Sequence, residues 1–178
     1  RFDAARERRR GIPEAILAEG KTPAEVAALA TTALDTTGRA LVTRTDEATA
    51  AAVASAAADL DADATIDRDD RTGTVVAHAG SFEPPSLDAT VAVVAAGTAD
   101  APVAGEAAVV AREVGATVDR IDDVGVANLD RILDQVDRVR EADAVVVAAG
   151  REGALPTVVA GLVDAPVIAL PVSTGYGV

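Results

Sequence analysis

The stretch that decides the fold is Ala-Thr-Val-Ala-Val-Val-Ala-Ala, residues 89–96. An apolar run of this length is typical of a strand that is covered on both faces of a sheet. Residues 144–149 repeat the pattern, and residues 116–121 and 165–170 predict two more strands. The intervening segments, 102–114, 128–141 and 155–162, have helical spacing. Alternating strands and helices with short connections predict an α/β, doubly wound parallel sheet built from right-handed βαβ units.

The residues before this sheet predict a smaller α/β module over residues 1–80. Its clearest signal is Thr22-Pro23-Ala24-Glu25, in which Thr22 can cap a helix, Pro23 fits the first turn and Glu25 closes a capping box. A short helix is predicted over residues 14–18. Strand-like runs at 40–43, 64–67 and 74–77, with a helix over 47–58, complete the module.

Two prolines mark residues 81–87 as a linker, because they stiffen the backbone and remove hydrogen-bond donors. The second domain then covers residues 88–178. Since the sequence does not begin with Met and stops after Gly175-Tyr176-Gly177-Val178, we expect it to be a piece of a longer protein whose parallel sheet is cut off before its last elements.

Composition excludes several classes of site. The chain has no cysteine and a single histidine, His78, which excludes thiol catalysis, disulfides and multi-histidine metal sites within this stretch. His78 lies in a strand-like run, and we interpret it as structural. The net charge is −13 and Lys21 is the only lysine, which disfavours nucleic acid as a partner. A functional cation-binding face and a solvated surface suited to concentrated salt both explain this acidity, and we favour the salt-adapted surface. No signal peptide or membrane span is predicted, so we expect a cytoplasmic protein.

Ligands of such sheets bind beyond the carboxyl ends of the strands. The first loop there contains Gly97, Thr98 and Asp100. A glycine turn, a hydroxyl and a following helix N-terminus suit a phosphate, while Asp100 either caps the helix or holds a ribose hydroxyl. A plain capped turn explains the same residues equally well.

Three further loops reach the same edge. Asp122 and Asp123 follow the second strand, where paired carboxylates bind a metal or share a proton, or where one of them caps the next helix. The third loop places Arg151 and Glu152 between glycines after a fully apolar strand, which favours a functional carboxylate with a tunable pKa. The fourth, residues 171–177, supplies hydroxyls and glycines.

Together these loops resemble a known pattern. The runs Gly-Thr-Ala-Asp (97–100), Ala-Gly-Arg-Glu-Gly-Ala-Leu-Pro (149–156) and Pro-Val-Ile-Ala-Leu-Pro-Val (166–172) are similar to PurE, the aminoimidazole ribonucleotide carboxylase, whose fold is flavodoxin-like. Residues 10–14, 20–23 and 123–127 are similar to LarB, the PurE-related family of nickel-pincer cofactor biosynthesis. The resemblance runs from about residue 6 to residue 178.

The resemblance implies a pyridinium-3,5-biscarboxylic acid mononucleotide synthase. Such an enzyme adds a carboxyl group from CO2 or bicarbonate to the pyridinium ring of nicotinic acid adenine dinucleotide and hydrolyses the phosphoanhydride, releasing AMP. It further implies a homo-octamer that binds a small dinucleotide. We expect no membrane partner and no tightly bound cofactor. Dependence on Mg²⁺ stays open.

Carried onto this sequence, the family's acidic residue of the Gly-x-Glu-Gly motif is Glu152, with a role in anhydride hydrolysis. The implied substrate-binding residues, gathered from all four loops, are Gly97, Thr98, Asp100, Asp123, Gly125, Gly150, Gly153, Ser173 and Gly175.

Two departures bear on this assignment. Residues 123–126 stand where PurE has a histidine-arginine pair, which disfavours the purine carboxylase alternative. The LarB nucleophilic cysteine is also missing, and we expect it beyond residue 178 in the longer protein. A nucleotide-binding module without catalysis is the other alternative.

Overall fold

The computed structural model describes residues 2–150 and 153–173. The chain divides into two compact units, of which the first ends at Pro85 and the second begins at Ser86. This division falls inside the segment that the sequence predicts as a linker. Each unit has its own sheet and its own apolar core.

The helices of the first unit are α1 (Arg6–Arg10), α2 (Pro23–Thr37) and α3 (Glu47–Leu60), and its strands are β1 (Ala15–Leu17), β2 (Arg39–Thr43), β3 (Thr65–Asp69) and β4 (Thr74–His78). The four described strands form a mixed sheet in the order β1-β2-β4-β3. Strands β1 and β2 are parallel, and β4 is antiparallel to both of its neighbours.

Helices α2 and α3 bury their apolar stripes against this sheet. Val26 and Leu34 of α2, Val53 of α3 and Val42 and Val75 of the sheet belong to one buried cluster. The predicted capping box starts α2: Thr22 accepts a hydrogen bond from the Glu25 amide, and the Glu25 carboxylate accepts one from the Thr22 amide. Burial of these side chains is the main favourable term for the fold of this unit.

The helix predicted over residues 14–18 is wrong, because this segment forms strand β1. As a strand, the same residues pair with β2, Ala15 opposite Leu41 and Leu17 opposite Thr43, and bury Ile16.

His78 lies at the end of β4, where its ring stacks on Phe82 with 4.7 Å between centroids. The Arg39 guanidinium lies 5.3 Å from the centroid of the same Phe82 ring. The first residues of the predicted linker therefore pack onto the first unit, and His78 contributes to that packing.

The strands of the second unit are β5 (Thr90–Ala95), β6 (Thr117–Ile121), β7 (Ala144–Ala149) and β8 (Val167–Pro171), and its helices are α4 (Ala101–Glu113), α5 (Leu129–Leu133), α6 (Val136–Arg140) and α7 (Ala154–Ala160). The four described strands form a parallel sheet in the order β6-β5-β7-β8. A short 3₁₀ turn, Thr98–Asp100, precedes α4. The strand order reverses at β5, and such a switch point opens a crevice at the carboxyl ends of the strands.

Both faces of β5 are covered, which explains its continuous apolar sequence. Val93 and Ala95 pack with Ala104 and Ala108 of α4 on one face. Ala92 and Val94 belong to the cluster on the other face, which contains Ile132, Val139, Leu155 and Val159 from α5, α6 and α7. The flavodoxin-like, doubly wound α/β fold predicted from the sequence is confirmed.

The helix predicted over residues 128–141 is instead two helices, α5 and α6. Gln135 leaves the helical conformation at φ −106° and ψ 0°, directly after Asp134, a residue type with low helix propensity. Ile132 and Val139 are both buried, one in each helix. The apolar periodicity therefore continues across the break and does not reveal it.

None of the described helices combines the length and the apolar character that a membrane crossing requires.

Candidate functional site

A cleft of about 410 Å³ lies at the carboxyl ends of β5 and β7, where the strand order reverses. This volume is within the range of small-molecule sites. Its walls come from the segments that follow β5, β6 and β7. The lining residues are Ala96, Gly97, Thr98, Ala99, Asp100, Gly125, Val126, Ala127, Ala149, Gly150, Ala154 and Leu155.

The first wall is the turn between β5 and α4. Thr98 and Ala99 are exposed in the 3₁₀ turn, and α4 begins at Ala101 directly behind them. The helix presents its N-terminal backbone N–H groups and the positive end of its dipole at this wall. The arrangement suits an anionic group such as a phosphate.

Asp100 is the one charged residue among the described residues that line the cleft, and it is only 5% exposed. Its Oδ2 accepts a hydrogen bond from the Gly97 amide at 2.8 Å. Its Oδ1 is buried without a hydrogen-bond partner among the described residues. Burial raises the pKa of the Asp100 carboxyl above its usual value, and the hydrogen bond from Gly97 opposes this shift. A ligand that donates a hydrogen bond to Oδ1 would satisfy this oxygen.

The second wall is the segment after β6. The Gly125 amide donates to the Ala96 carbonyl at 2.8 Å, so this segment lies directly against the end of β5. A β-carbon at Gly125 would lie 2.8 Å from the Ala96 oxygen, closer than real β-carbons approach. Only glycine permits this contact, which brings Val126 and Ala127 to the cleft.

Gly97 differs from this, because its backbone is extended at φ −152° and ψ 177°. Any residue adopts that conformation, and a β-carbon there would lie 3.7 Å from Asp100 Oδ2, an ordinary contact. The tight turn that the sequence suggested at Gly97 is therefore not the reason for a glycine at this position.

The third wall runs from β7 into α7. Gly150 lines the cleft, and its carbonyl accepts a hydrogen bond from the Gly153 amide at 3.2 Å. Gly153 adopts the left-handed conformation at φ 60° and starts α7, but is not among the lining residues. The predicted catalytic residue Glu152 lies outside the described residues, as does Gly175.

Of the predicted substrate-binding residues, Gly97, Thr98, Asp100, Gly125 and Gly150 come together at the cleft. Asp123 and the exposed Ser173 are not among its lining residues. The lining also contains alanines, Val126 and Leu155, which sequence reasoning missed. The signal that could have found them is position: each belongs to a segment that follows a strand, except Ala149, which is the last residue of β7.

Asp122 and Asp123 have other partners. Asp122 pairs with Arg120 at 2.6 Å and Asp123 with Arg131 at 3.0 Å. The interpretation that one of them caps the next helix is wrong, because Asn128 caps α5 by accepting a hydrogen bond from the Asp130 amide. Within residues 2–150 and 153–173, no group of three or more His, Cys, Asp or Glu side chains is placed to hold a metal ion.

Comparison with known proteins adds to this geometry. Residues 1–75 match a family model described as the LarB/PurE-like N-terminal domain. The chain is also 32% identical to the uncharacterized protein MJ0165 of Methanocaldococcus jannaschii. That alignment spans 181 residues and covers the whole of this chain and 70% of the relative. The similarity therefore extends through both units.

Proposed function

The chain belongs to the LarB family, and from that premise we propose that it acts as a pyridinium-3,5-biscarboxylic acid mononucleotide synthase. The substrate would be nicotinic acid adenine dinucleotide, with CO2 or bicarbonate as the second substrate. One carbon–carboxyl bond forms on the pyridinium ring as a ring C–H bond loses its proton. Water cleaves the phosphoanhydride, which leaves AMP and a dicarboxylated mononucleotide.

The observation that supports this proposal most is the cleft at the switch point of the parallel sheet. It combines a helix N-terminus that suits a phosphate with a buried carboxylate oxygen that lacks a hydrogen-bond partner among the described residues. A ribose phosphate has a phosphate that matches the helix N-terminus and hydroxyl groups that can donate to the carboxylate oxygen. Each half of the dinucleotide contains such a group.

We assign the phosphate to the N-terminus of α4 with Thr98, and a ribose hydroxyl to Asp100 Oδ1. The hydroxyl would donate to this oxygen while Oδ2 keeps its bond to the Gly97 amide. Gly125 and Gly150 leave the backbone accessible at the other two walls. None of these assignments requires a tightly bound cofactor.

Glu152 is proposed to act in anhydride hydrolysis by orienting or deprotonating the attacking water. Gly150, two residues before Glu152, lines the cleft. Its carbonyl accepts a hydrogen bond from the amide of Gly153, the residue after Glu152. Replacement by glutamine keeps the size of the side chain and removes the base. AMP release by a Glu152→Gln variant should therefore fall by about 100-fold or more, and release at the wild-type rate would remove Glu152 from the mechanism.

The experiment is mass spectrometry of nicotinic acid adenine dinucleotide incubated with ¹³C-bicarbonate and the complete gene product. AMP together with a mononucleotide that carries one labelled carboxyl group is the expected result. AMP without the label would indicate a hydrolase, and binding without any product would indicate a nucleotide-binding module. Labelling of an aminoimidazole ribonucleotide instead would indicate the purine alternative.

A further inference from the structure

The geometry points to Asp123 and Arg131 as positioning residues that hold one wall of the cleft, residues 125–127, in place. For the identity of the ligand this inference rests on the proposed function. For the position of the wall it depends on the structure alone. Asp123 thus has a different role from direct contact with substrate.

Asp123 is one of two described residues other than glycine with a positive φ, here 62°. Aspartate tolerates this left-handed conformation better than most residues do. The backbone turns there, between the end of β6 at Ile121 and Val124, which is buried. The conformation at Asp123 therefore sets the direction in which residues 125–127 leave the sheet.

Arg131 holds this turn from α5. Its Nη1 donates to Asp123 Oδ2 at 3.0 Å and lies 3.3 Å from the Asp123 carbonyl oxygen, to which it also donates. On the other side, the amides of Val124 and Gly125 donate to the carbonyls of Ala95 and Ala96. The segment is thus held between the end of β5 and helix α5.

The ion pair contributes little to global stability, since 51% of the Arg131 side chain and 61% of the Asp123 side chain are exposed. Neither residue is among those that line the cleft. An effect of either on ligand affinity would therefore act through the position of residues 125–127. A loss of affinity without a loss of stability would therefore distinguish a positioning role of Asp123 and Arg131 from a purely structural role and from direct contact with the ligand.

The chain offers a matched control in Arg138. Its guanidinium binds the Asp119 carboxylate and donates to the Arg120 carbonyl at 3.2 Å. This contact resembles that of Arg131. In both, an arginine of a short helix donates to a carboxylate and to a backbone oxygen of β6 or of the residues that follow it. The Arg138 contact lies at residues 119 and 120, several residues away from the segment at the cleft.

The test compares Arg131→Gln, Asp123→Ala, Asp123→Asn and Arg138→Gln in the complete gene product. Amide hydrogen exchange reports the order of residues 124–128, and calorimetry reports affinity for nicotinic acid adenine dinucleotide in bicarbonate-free buffer. Arg131→Gln and Asp123→Ala should speed exchange in this segment and weaken binding by about tenfold. Thermal stability should stay nearly unchanged in Arg131→Gln, whereas Asp123→Ala should also lower it, because alanine tolerates the left-handed conformation poorly. Asp123→Asn keeps an oxygen acceptor and tolerates the left-handed conformation, so it should bind nearly as the wild type does.

Unchanged exchange at 124–128 in Arg131→Gln, or an equal effect from Arg138→Gln, would overturn the inference. Faster exchange with full affinity would also overturn it, because the wall would then not need to be held. If the wild type does not bind the dinucleotide while exchange in Arg131→Gln rises, the held segment is supported and the proposed substrate is contradicted.

Discussion

At the residue scale, the two glycines on facing walls of the cleft differ in the room they leave for a β-carbon. Gly125 has the Ala96 carbonyl oxygen 2.8 Å from that position, and Gly97 has only Asp100 Oδ2 at 3.7 Å. The sequence predicts both as binding residues. Only the structure shows that the need for glycine differs between the two positions. Gly125 is required by packing, whereas the reason for Gly97 is not conformational.

This difference predicts unequal losses of stability for two alanine substitutions. Gly125→Ala should lower the free energy of unfolding by about 1–3 kcal/mol, because backbone must move to admit the methyl group. Gly97→Ala should change it by less than about 0.5 kcal/mol. Chemical denaturation of both variants measures this, and equal destabilisation would contradict the assigned contacts.

Asp100 predicts a pH dependence. Because burial raises its pKa in the folded state, the folded protein binds this proton more tightly than the unfolded chain does. The contribution of Asp100 to stability is therefore greatest below the ordinary aspartate pKa and is lost as pH rises through the raised folded value. Asp100→Asn removes this loss, so its stability relative to wild type should increase from about pH 4 towards neutral.

Unfolding midpoints of both proteins across this range provide the measurement. A difference that does not vary with pH would contradict the raised pKa. The same variant should bind the dinucleotide more weakly, because an amide replaces the carboxylate that we propose accepts the ribose hydroxyl.

At the element scale, the capping box explains why α2 begins where it does. Thr22→Ala removes the side chain that accepts from the Glu25 amide and should cost about 1 kcal/mol of stability. Thr32 is exposed in the middle of the same helix and bonds to the Ala28 carbonyl. Thr32→Ala should be neutral or slightly stabilising, since alanine is the better helix former. Thermal denaturation of the two variants distinguishes a cap from a general threonine effect.

The strands that the sequence predicted best are those covered on both faces, β5 and β7, because burial leaves an uninterrupted apolar run. Strand β1 was missed because three residues at a sheet edge leave no periodicity, and only pairing with β2 makes them a strand. The break between α5 and α6 was missed because Ile132 and Val139 keep the apolar spacing across it.

The candidate site was predictable to the level of loops. Parallel strands end at one edge, so the loops after β5, β6 and β7 were expected to meet. The partners of individual side chains were not expected. From the sequence, Asp123 was interpreted as a ligand-binding carboxylate. No sequence pattern indicated that Arg131 of the next helix would be its partner.

At the scale of the whole molecule, a net charge of −13 predicts that salt stabilises the fold. Many arginines already pair with nearby carboxylates, so the remaining acidic groups repel one another. Raising KCl from about 0.1 M to about 1 M shortens the screening length from about 10 Å to about 3 Å. The unfolding temperature should therefore rise across this range.

A variant with fewer charges provides the control for general salting-out. Asp59 and Asp67 are both exposed, and Asp59→Asn/Asp67→Asn should have a smaller salt slope than the wild type. An equal slope in both proteins would mean that salt acts on burial of apolar surface rather than on charge repulsion.

The proposed synthase activity is tested most directly by the fate of nicotinic acid adenine dinucleotide with ¹³C-bicarbonate and the complete gene product. AMP and a pyridinium mononucleotide with one labelled carboxyl group are expected, both reduced when Asp100 is replaced by asparagine. Dinucleotide recovered unchanged and unbound at the end of the incubation would contradict the proposed activity.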